Sequence, residues 1–410
     1  MSVSTLPVPT DERRHRWKVL GVGVAANGSF AAALTGLPTT AVLMRADYHL
    51  DAPYLGLTLG AMGLGIAISE LPWGVATDRW GDRRVLQAGL GLTGLILAAM
   101  ALFVTPQPGF IPSVANLVLA LFLVGFLGGS LNGSSGRAVM AWFAEGERGL
   151  AMSIRQMALP AGGALGALLL PSLAASTGFP GVFGVLAGLC LVSTFFVWLW
   201  LHEPPVRIGS DGKPAPTPEP TQSLLGNSEI WRMVLGLGSL CAPQIAVVTF
   251  ASVFLNDFAQ IGLPMISVSV VAIQIGAAIL RVWSGHFTDR RRNRRPFLKA
   301  AGLVTAAVFA LLAALVTYAP EQTTVIVAVL VIGGIIASCW HGIAFTELAT
   351  IAGLARTGTA LGLGNSFAFG TYFLTPLAIP HLLALGDWSL VWGVMVICAL
   401  LASGLFPKRP

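Results

Sequence analysis

Apolar residues along this chain form long runs, separated by short segments that contain charged, Pro or Gly residues. A hydrocarbon core about 30 Å thick requires about 20 apolar residues per crossing helix, and the runs reach that length. The pattern therefore predicts an all-α integral membrane protein with twelve spans, at about 19–43, 53–77, 84–104, 114–140, 151–174, 179–201, 230–255, 265–287, 297–317, 323–346, 355–377 and 388–406.

The composition agrees with a membrane protein and argues against a soluble one. Of 410 residues, 55% are hydrophobic and 10% are charged, whereas about 25% of residues are charged in an average globular domain. The four cysteines lie inside apolar runs, with no close pair and no His cluster at metal-binding spacing. We therefore expect neither a metal site nor a cofactor.

Basic residues orient the predicted spans. Twenty of the 24 Lys and Arg residues fall on one side of the membrane, and only Arg45 falls on the other; Arg137, Arg155 and Arg281 lie within spans. Because Lys and Arg accumulate in cytoplasmic loops, the sequence predicts a multi-pass protein of the inner (plasma) membrane with both termini cytoplasmic. The net charge of +6 then faces anionic lipid of the bilayer, and we expect no nucleic-acid partner.

The midpoint of the chain is its longest polar stretch. Residues 202–228 are rich in Pro and predict an extended cytoplasmic linker. Six predicted spans precede the linker and six follow it. The predicted organisation is thus two six-helix bundles at 19–201 and 229–406, with short tails at 1–18 and 407–410.

A repeat relates the two bundles. The segment from Gly74 to Arg84 after span 2 has a counterpart from Gly285 to Arg292 after span 8, and Asp289 stands 211 positions after Asp78. Two six-helix halves in parallel orientation are a transporter architecture, with a site at the midplane between them.

The pattern Gly74-x-x-x-Asp78-Arg79-x-Gly81-x-Arg83-Arg84 resembles the signature loop of the major facilitator superfamily, and Gly285-x-x-x-Asp289-Arg290 resembles its second copy. The resemblance implies two pseudo-symmetric six-helix bundles and alternating access. It also implies a cavity lined chiefly by spans 1, 4, 7 and 10, with contributions from spans 2, 5, 8 and 11. By analogy, the cytoplasmic gate would involve Asp78, Arg79, Arg83, Asp289 and Arg290. The alternative is that these loops only determine topology.

Two ionisable residues are predicted at equivalent depths near mid-membrane. Arg281 and Glu70 each stand eight residues before the loop aspartates of their halves, or about 12 Å at 1.5 Å per residue. Charges at this depth are functional candidates. One hypothesis has Arg281 bind a carboxylate while Glu70 takes up a proton; the other is a permanent salt bridge between the bundles. The resemblance favours the first, because superfamily members that move small carboxylates or oxyanions place an arginine near this point of span 8.

Other polar residues in the spans complete a candidate site. Arg155 either lines the cavity or reaches a gate, and His341, 209 positions after Asn132, either binds substrate and carries a coupling proton or is structural. Arg137 and Glu347 are predicted as interfacial gate or anchoring charges. The remaining substrate-binding candidates, chosen from their helical spacing and predicted depth, are Asn27, Asn132, Gln244, Gln274, Asn365 and Tyr372.

The function predicted from these features is secondary active transport of a small organic anion, with a carboxylate as the expected cargo. The coupling partner is a proton in symport or a counter-anion in exchange, and the expected functional unit is a monomer. The alternative is a proton-coupled efflux carrier for amphipathic compounds, which the 21 Phe and 11 Trp would favour. An enzyme is not expected, because the sequence lacks the clustered carboxylates, HExxH or phosphate-binding loop of membrane enzymes.

Overall fold

The computed structural model describes residues 10–143, 148–202, 226–352 and 357–407. Apart from one isolated bridge between Gln107 and Phe110, the regular structure described is helical. A short 3-10 helix covers Leu37–Thr40. The α-helices are Thr10–Leu34, Ala41–Asp47, Ala52–Trp80, Asp82–Phe103, Val114–Gly128, Ser130–Trp142, Arg148–Trp200, Ser228–Asp257, Leu263–Arg291, Arg294–Tyr318, Thr323–Ile336, His341–Ala352, Thr357–Leu385 and Trp388–Leu405.

These helices cross the membrane twelve times. Within the described residues, eleven helical segments are long and apolar enough to span a bilayer. One of them, Ile154–Trp200, has 47 residues, about twice the 20 that a crossing needs. It turns at Gly178, whose φ of 70° suits a residue without a Cβ. The prediction of an all-α, twelve-span protein is confirmed, and the spans keep the numbers 1 to 12.

The alternation of spans gives the molecule two sides. The linker side is the side on which span 6 ends and span 7 begins. The opposite side is the far side. Odd-numbered spans run from the linker side to the far side. The first half of the molecule holds spans 1 to 6, and the second half holds spans 7 to 12.

Three spans that the hydrophobic pattern predicted as continuous helices are broken, so the prediction was wrong in this detail. Span 1 stops at Leu34 and resumes at Ala41, span 4 is interrupted at Gly129, and span 10 is interrupted between Ile336 and His341. Irregular backbone inside a membrane is tolerated where protein or a cavity satisfies its polar groups. The breaks therefore mark places where other side chains reach the backbone.

Glycines bring the two halves into close contact along spans 2 and 11. A Cβ on Gly60 would lie 2.8 Å from the carbonyl oxygen of Phe373, and one on Gly63 would lie 2.6 Å from Cδ1 of Tyr372. A second seam joins spans 5 and 8, where a Cβ on Gly163 would lie 2.6 Å from Nε2 of Gln274. Small residues allow this approach where lipid supplies no hydrophobic drive for helix association.

Candidate functional site

Glu70 lies in span 2 and is 5% exposed. Nδ2 of Asn132, in span 4, donates to its Oε1 at 2.9 Å. The Asn365 amide, in span 11 of the second half, and the Arg155 guanidinium, in span 5, both act on the carboxylate electrostatically. Side chains from both halves thus meet at the Glu70 carboxylate.

Arg155 continues this cluster toward span 1. Its Nη1 donates to Oγ of Ser135 at 3.1 Å, and Nδ2 of Asn27 donates to the same oxygen at 2.8 Å. The Nε of Arg155 is buried without a hydrogen-bond partner among the described residues. Asn27, Glu70, Asn132, Ser135 and Arg155 therefore form one polar cluster inside the first half, which we call the Glu70 cluster. The sequence analysis missed Ser135, although its position one helical turn after Asn132 places both on one face of span 4.

Arg281 of span 8 meets the break in span 10. Its Nε donates to the carbonyl of Ser338 at 2.9 Å, and Oγ of Ser284 donates to the carbonyl of Cys339 at 2.7 Å. These carbonyls are available because the helix is interrupted there. Among the described residues, no carboxylate oxygen lies within 4.0 Å of the Arg281 guanidinium. Arg281 remains partly exposed.

The structure does not bring Glu70 and Arg281 together. Glu70 accepts a hydrogen bond from Asn132 of span 4, whereas Arg281 donates to the backbone of span 10. In this conformation the two residues form no inter-bundle salt bridge, and Arg155 is the basic residue that acts on Glu70.

Three further candidates lie in the second half. His341 begins the second helix of span 10, stacks on Trp340 with ring centroids 3.9 Å apart, and has a buried Nδ1 without a partner among the described residues. Gln244 in span 7 is 8% exposed, and its Oε1 is also unpartnered there. Gln274 is buried against Gly163 of span 5, at the seam between the halves. Their contacts with substrate stay predictions.

Tyr372, a further substrate candidate, joins the halves on the far side. The side chain is 3% exposed, and its hydroxyl donates to the carbonyl of Leu34 at 2.6 Å. Leu34 is the last residue of the first helix of span 1. The Tyr372 hydroxyl is therefore occupied by the protein in this conformation.

The gate candidates lie on the linker side. The side chains of Asp78 and Asp289 are outside the described part of the structure. Arg79 and Arg290 are exposed, and Nη2 of Arg83 donates to the carbonyl of Trp198 in span 6 at 2.7 Å. The gating roles of these five residues stay predictions.

Arg137 and Glu347 each form an ion pair within their own half. The signs of the two charges are exchanged between the two pairs. Nε of Arg137 lies 3.5 Å from Oδ1 of Asp82, at the start of span 3. Glu347, 210 positions after Arg137, accepts from Nε of Arg295 at 2.6 Å, at the start of span 9. Each pair ties two spans of one half together, as an anchoring charge would. The sequence analysis did not identify Asp82 and Arg295 as partners, although the repeat places them near equivalent positions.

Two six-span halves around ionisable residues at the midplane define a secondary transporter. The chain agrees with a family model described as the Major Facilitator Superfamily over residues 22–370. It belongs to this superfamily, and the resemblance seen in the loops after spans 2 and 8 is confirmed. The protein is accordingly a multi-pass membrane transporter and not an enzyme.

Similar proteins extend over nearly the whole chain. An uncharacterized MFS-type transporter of Mycobacterium tuberculosis is 27% identical over 399 residues, which cover 96% of this chain and 85% of the relative. A probable L-galactonate transporter of Escherichia coli is 23% identical over 406 residues, covering 90% and 84%. The crystal structure of a D-xylose-proton symporter superposes with a TM-score of 0.76 at 15% identity, covering 96% of this chain and 97% of the symporter. This structural likeness shows a shared fold.

Proposed function

We propose that this transporter moves a small organic anion and that Arg281 binds the carboxylate of that anion. The observation that carries the proposal is the unneutralised guanidinium in span 8. It lies within 4.0 Å of no carboxylate oxygen among the described residues. A charge at membrane depth without a counter-ion is costly, and an anionic substrate supplies the missing charge.

The geometry of Arg281 suits a carboxylate. Its Nε is held by the Ser338 carbonyl, whereas neither terminal nitrogen has a hydrogen-bond partner among the described residues, and neither is sealed from solvent. A guanidinium fixed in this way presents a planar fork that can bind both oxygens of a carboxylate. The second helix of span 10 begins nearby at His341, and its amino end adds a favourable partial charge for an anion.

The similar proteins support an anionic cargo. L-galactonate, after which the probable Escherichia coli transporter is named, is an organic acid anion. The alternative, efflux of amphipathic compounds, has less support because an arginine at membrane depth, without a carboxylate partner among the described residues, suits an anion better than an apolar cargo.

We place coupling at Glu70, with either a proton or a counter-anion as the second transported species. Glu70 is the carboxylate of the midplane cluster and has partners in both halves. Its proton occupancy is therefore sensitive to their arrangement. We assign the linker side to the cytoplasm of an inner membrane, because the sequence pattern predicts 20 of the 24 basic residues on that side.

The test is uptake of a panel of radiolabelled mono- and dicarboxylates into proteoliposomes, with and without a proton gradient. We expect Arg281→Ala to lower kcat/KM for the best anion by about 30-fold or more, because truncation removes a desolvated ionic contact. Arg281→Lys retains the charge without the fork, so its loss is smaller.

The matched control is Arg232→Ala. Nε of Arg232 also donates to a backbone carbonyl, that of Leu405, at 3.1 Å, but on the linker side of span 7. Its removal is expected to leave uptake near the wild-type rate. Full anion uptake by Arg281→Ala would overturn the proposed binding site, and transport of amphipathic compounds alone would favour the efflux function.

A further inference from the structure

Span 1 breaks because of Pro38. In a continuous helix the carbonyl of Leu34 would accept from the N–H of residue 38, but proline has no N–H. The helix ends at Leu34 and the chain continues through the 3-10 turn Leu37–Thr40. The break therefore leaves a backbone acceptor near the seam between the two halves.

The second half supplies the missing donor. The hydroxyl of Tyr372, in span 11, donates to the carbonyl of Leu34 at 2.6 Å. Oγ of Ser252, in span 7, donates to the carbonyl of Pro38 in the same turn at 2.7 Å. Both hydroxyl-bearing residues are 3% exposed, so these bonds form in a dry environment.

The contact continues to the far-side rim. Nη1 and Nη2 of Arg45, in the second helix of span 1, donate to Asp257 at 2.6 and 2.7 Å. This pair is about one-third exposed, where solvent screening makes an ion pair worth little. The two buried hydroxyl contacts are thus the stronger links between the break and the second half.

We infer that the break in span 1 is the far-side gate of this transporter, and that Tyr372 and Ser252 are the positioning residues that latch it. Their hydroxyls hold the halves together by completing the hydrogen bonding of the broken helix. When the far side opens, the Leu34 carbonyl loses its partner, and only entering water can replace it. Opening is therefore coupled to hydration of the gate. The inference concerns the conformational cycle and does not depend on which substrate is carried.

The molecule contains a matched control for Tyr372. Tyr48 is also 3% exposed, and its hydroxyl donates to a backbone carbonyl, that of Val104, at the same 2.6 Å. Tyr48 and Val104 both belong to the first half. Tyr48→Phe thus removes a bond of the same chemistry and length, from an equally buried tyrosine, without touching the seam.

The experiment measures the far-side distance between the halves by double electron–electron resonance. Spin labels are placed at Pro108→Cys in the loop between spans 3 and 4 and at Glu321→Cys in the loop between spans 9 and 10, both exposed. The four native cysteines are replaced, and the transporter is reconstituted without substrate.

We expect Tyr372→Phe to raise the ratio of open to closed far-side populations about fivefold, the equivalent of one net hydrogen bond. Ser252→Ala shifts the ratio in the same direction, and the double variant shifts it further. Tyr48→Phe retains the wild-type distribution. The inference is overturned if neither latch variant changes the distances, or if Tyr48→Phe changes them as much as Tyr372→Phe does.

Discussion

The charged residues at equivalent points of the two halves, Glu70 and Arg281, have different surroundings. Glu70 in the first half accepts a hydrogen bond from Asn132, and Asn365 and Arg155 act on it electrostatically. Arg281, at the equivalent point of the second half, holds one backbone carbonyl and has no carboxylate within 4.0 Å among the described residues. The Glu70 carboxylate is thus surrounded by polar groups of the protein, whereas the Arg281 guanidinium is the charge for which we propose an anionic ligand.

This difference separates two tasks that a coupled transporter must perform. A carboxylate with partners in both halves can take up a proton in one arrangement of the halves and release it in another. A guanidinium with an open fork instead requires an anion to complete its coordination. Gene duplication can supply equivalent positions, but the polar neighbours of each position decide what its charge does.

The severest test of the comparison exchanges the two charges. If Glu70 and Arg281 were equal partners of a salt bridge, the double variant Glu70→Arg/Arg281→Glu would restore function. We expect transport to remain at least about 100-fold below wild type, because the new carboxylate at position 281 would face the Ser338 carbonyl and the new guanidinium would face amide donors. Recovery of uptake in proteoliposomes to within a few-fold of wild type would contradict the comparison.

A smaller loss of transport is expected when only the charge of Glu70 is removed. Glu70→Gln keeps the shape and hydrogen-bonding capacity of the side chain but cannot release a proton. For a proton symporter we expect pH-dependent uptake to fall about 10-fold or more, the equivalent of about 1.4 kcal/mol or more, while substrate counterflow persists. The measurement compares uptake and counterflow across a pH series. An unchanged pH profile would reduce Glu70 to a structural partner.

Much of this architecture was predictable because hydropathy and repeats report on it directly. Twelve apolar runs gave twelve spans, and the equivalent depths of Glu70 and Arg281 followed from counting along helices. The break in span 10 was missed because the segment stays mostly apolar through the interruption. The break in span 4 was missed although Gly128, Gly129 and Ser130 stand there, because small residues are also frequent in continuous membrane helices. Span 1 has the clearest local signal, since Pro38 removes a backbone donor in the middle of its run.

The partners of the site residues were harder to predict. Arg281 bonds to the carbonyl of Ser338 and Tyr372 to that of Leu34, and a backbone carbonyl is present at every residue whatever its type. Which carbonyl is available depends on where a helix breaks and which span packs beside it. Ser135 was equally inconspicuous, since a single serine in a membrane helix most often bonds to its own backbone.

The finest distinction within the comparison concerns the two amides on Glu70. Asn132 belongs to the same half as Glu70, and Asn365 belongs to the other. Asn132→Ala and Asn365→Ala each remove one amide that favours the ionised carboxylate. Both should therefore move the pH of half-maximal proton-driven uptake upward. The loss of either amide is expected to cost about 1 kcal/mol, which corresponds to a shift of less than one pH unit in the uptake profile.

Only Asn365 connects that carboxylate to the movement of the halves. In the spin-labelled transporter we expect pH to change the far-side distance distribution of wild type and of Asn132→Ala, but to change that of Asn365→Ala much less. Arg155 faces Glu70 in all three proteins, so the local charge is matched. Equal pH responses in the two alanine variants would mean that the contact between Asn365 and Glu70 does not link protonation of Glu70 to the movement of the halves. In that case the coupling attributed to Glu70 would have to pass through Arg155 and span 5 instead.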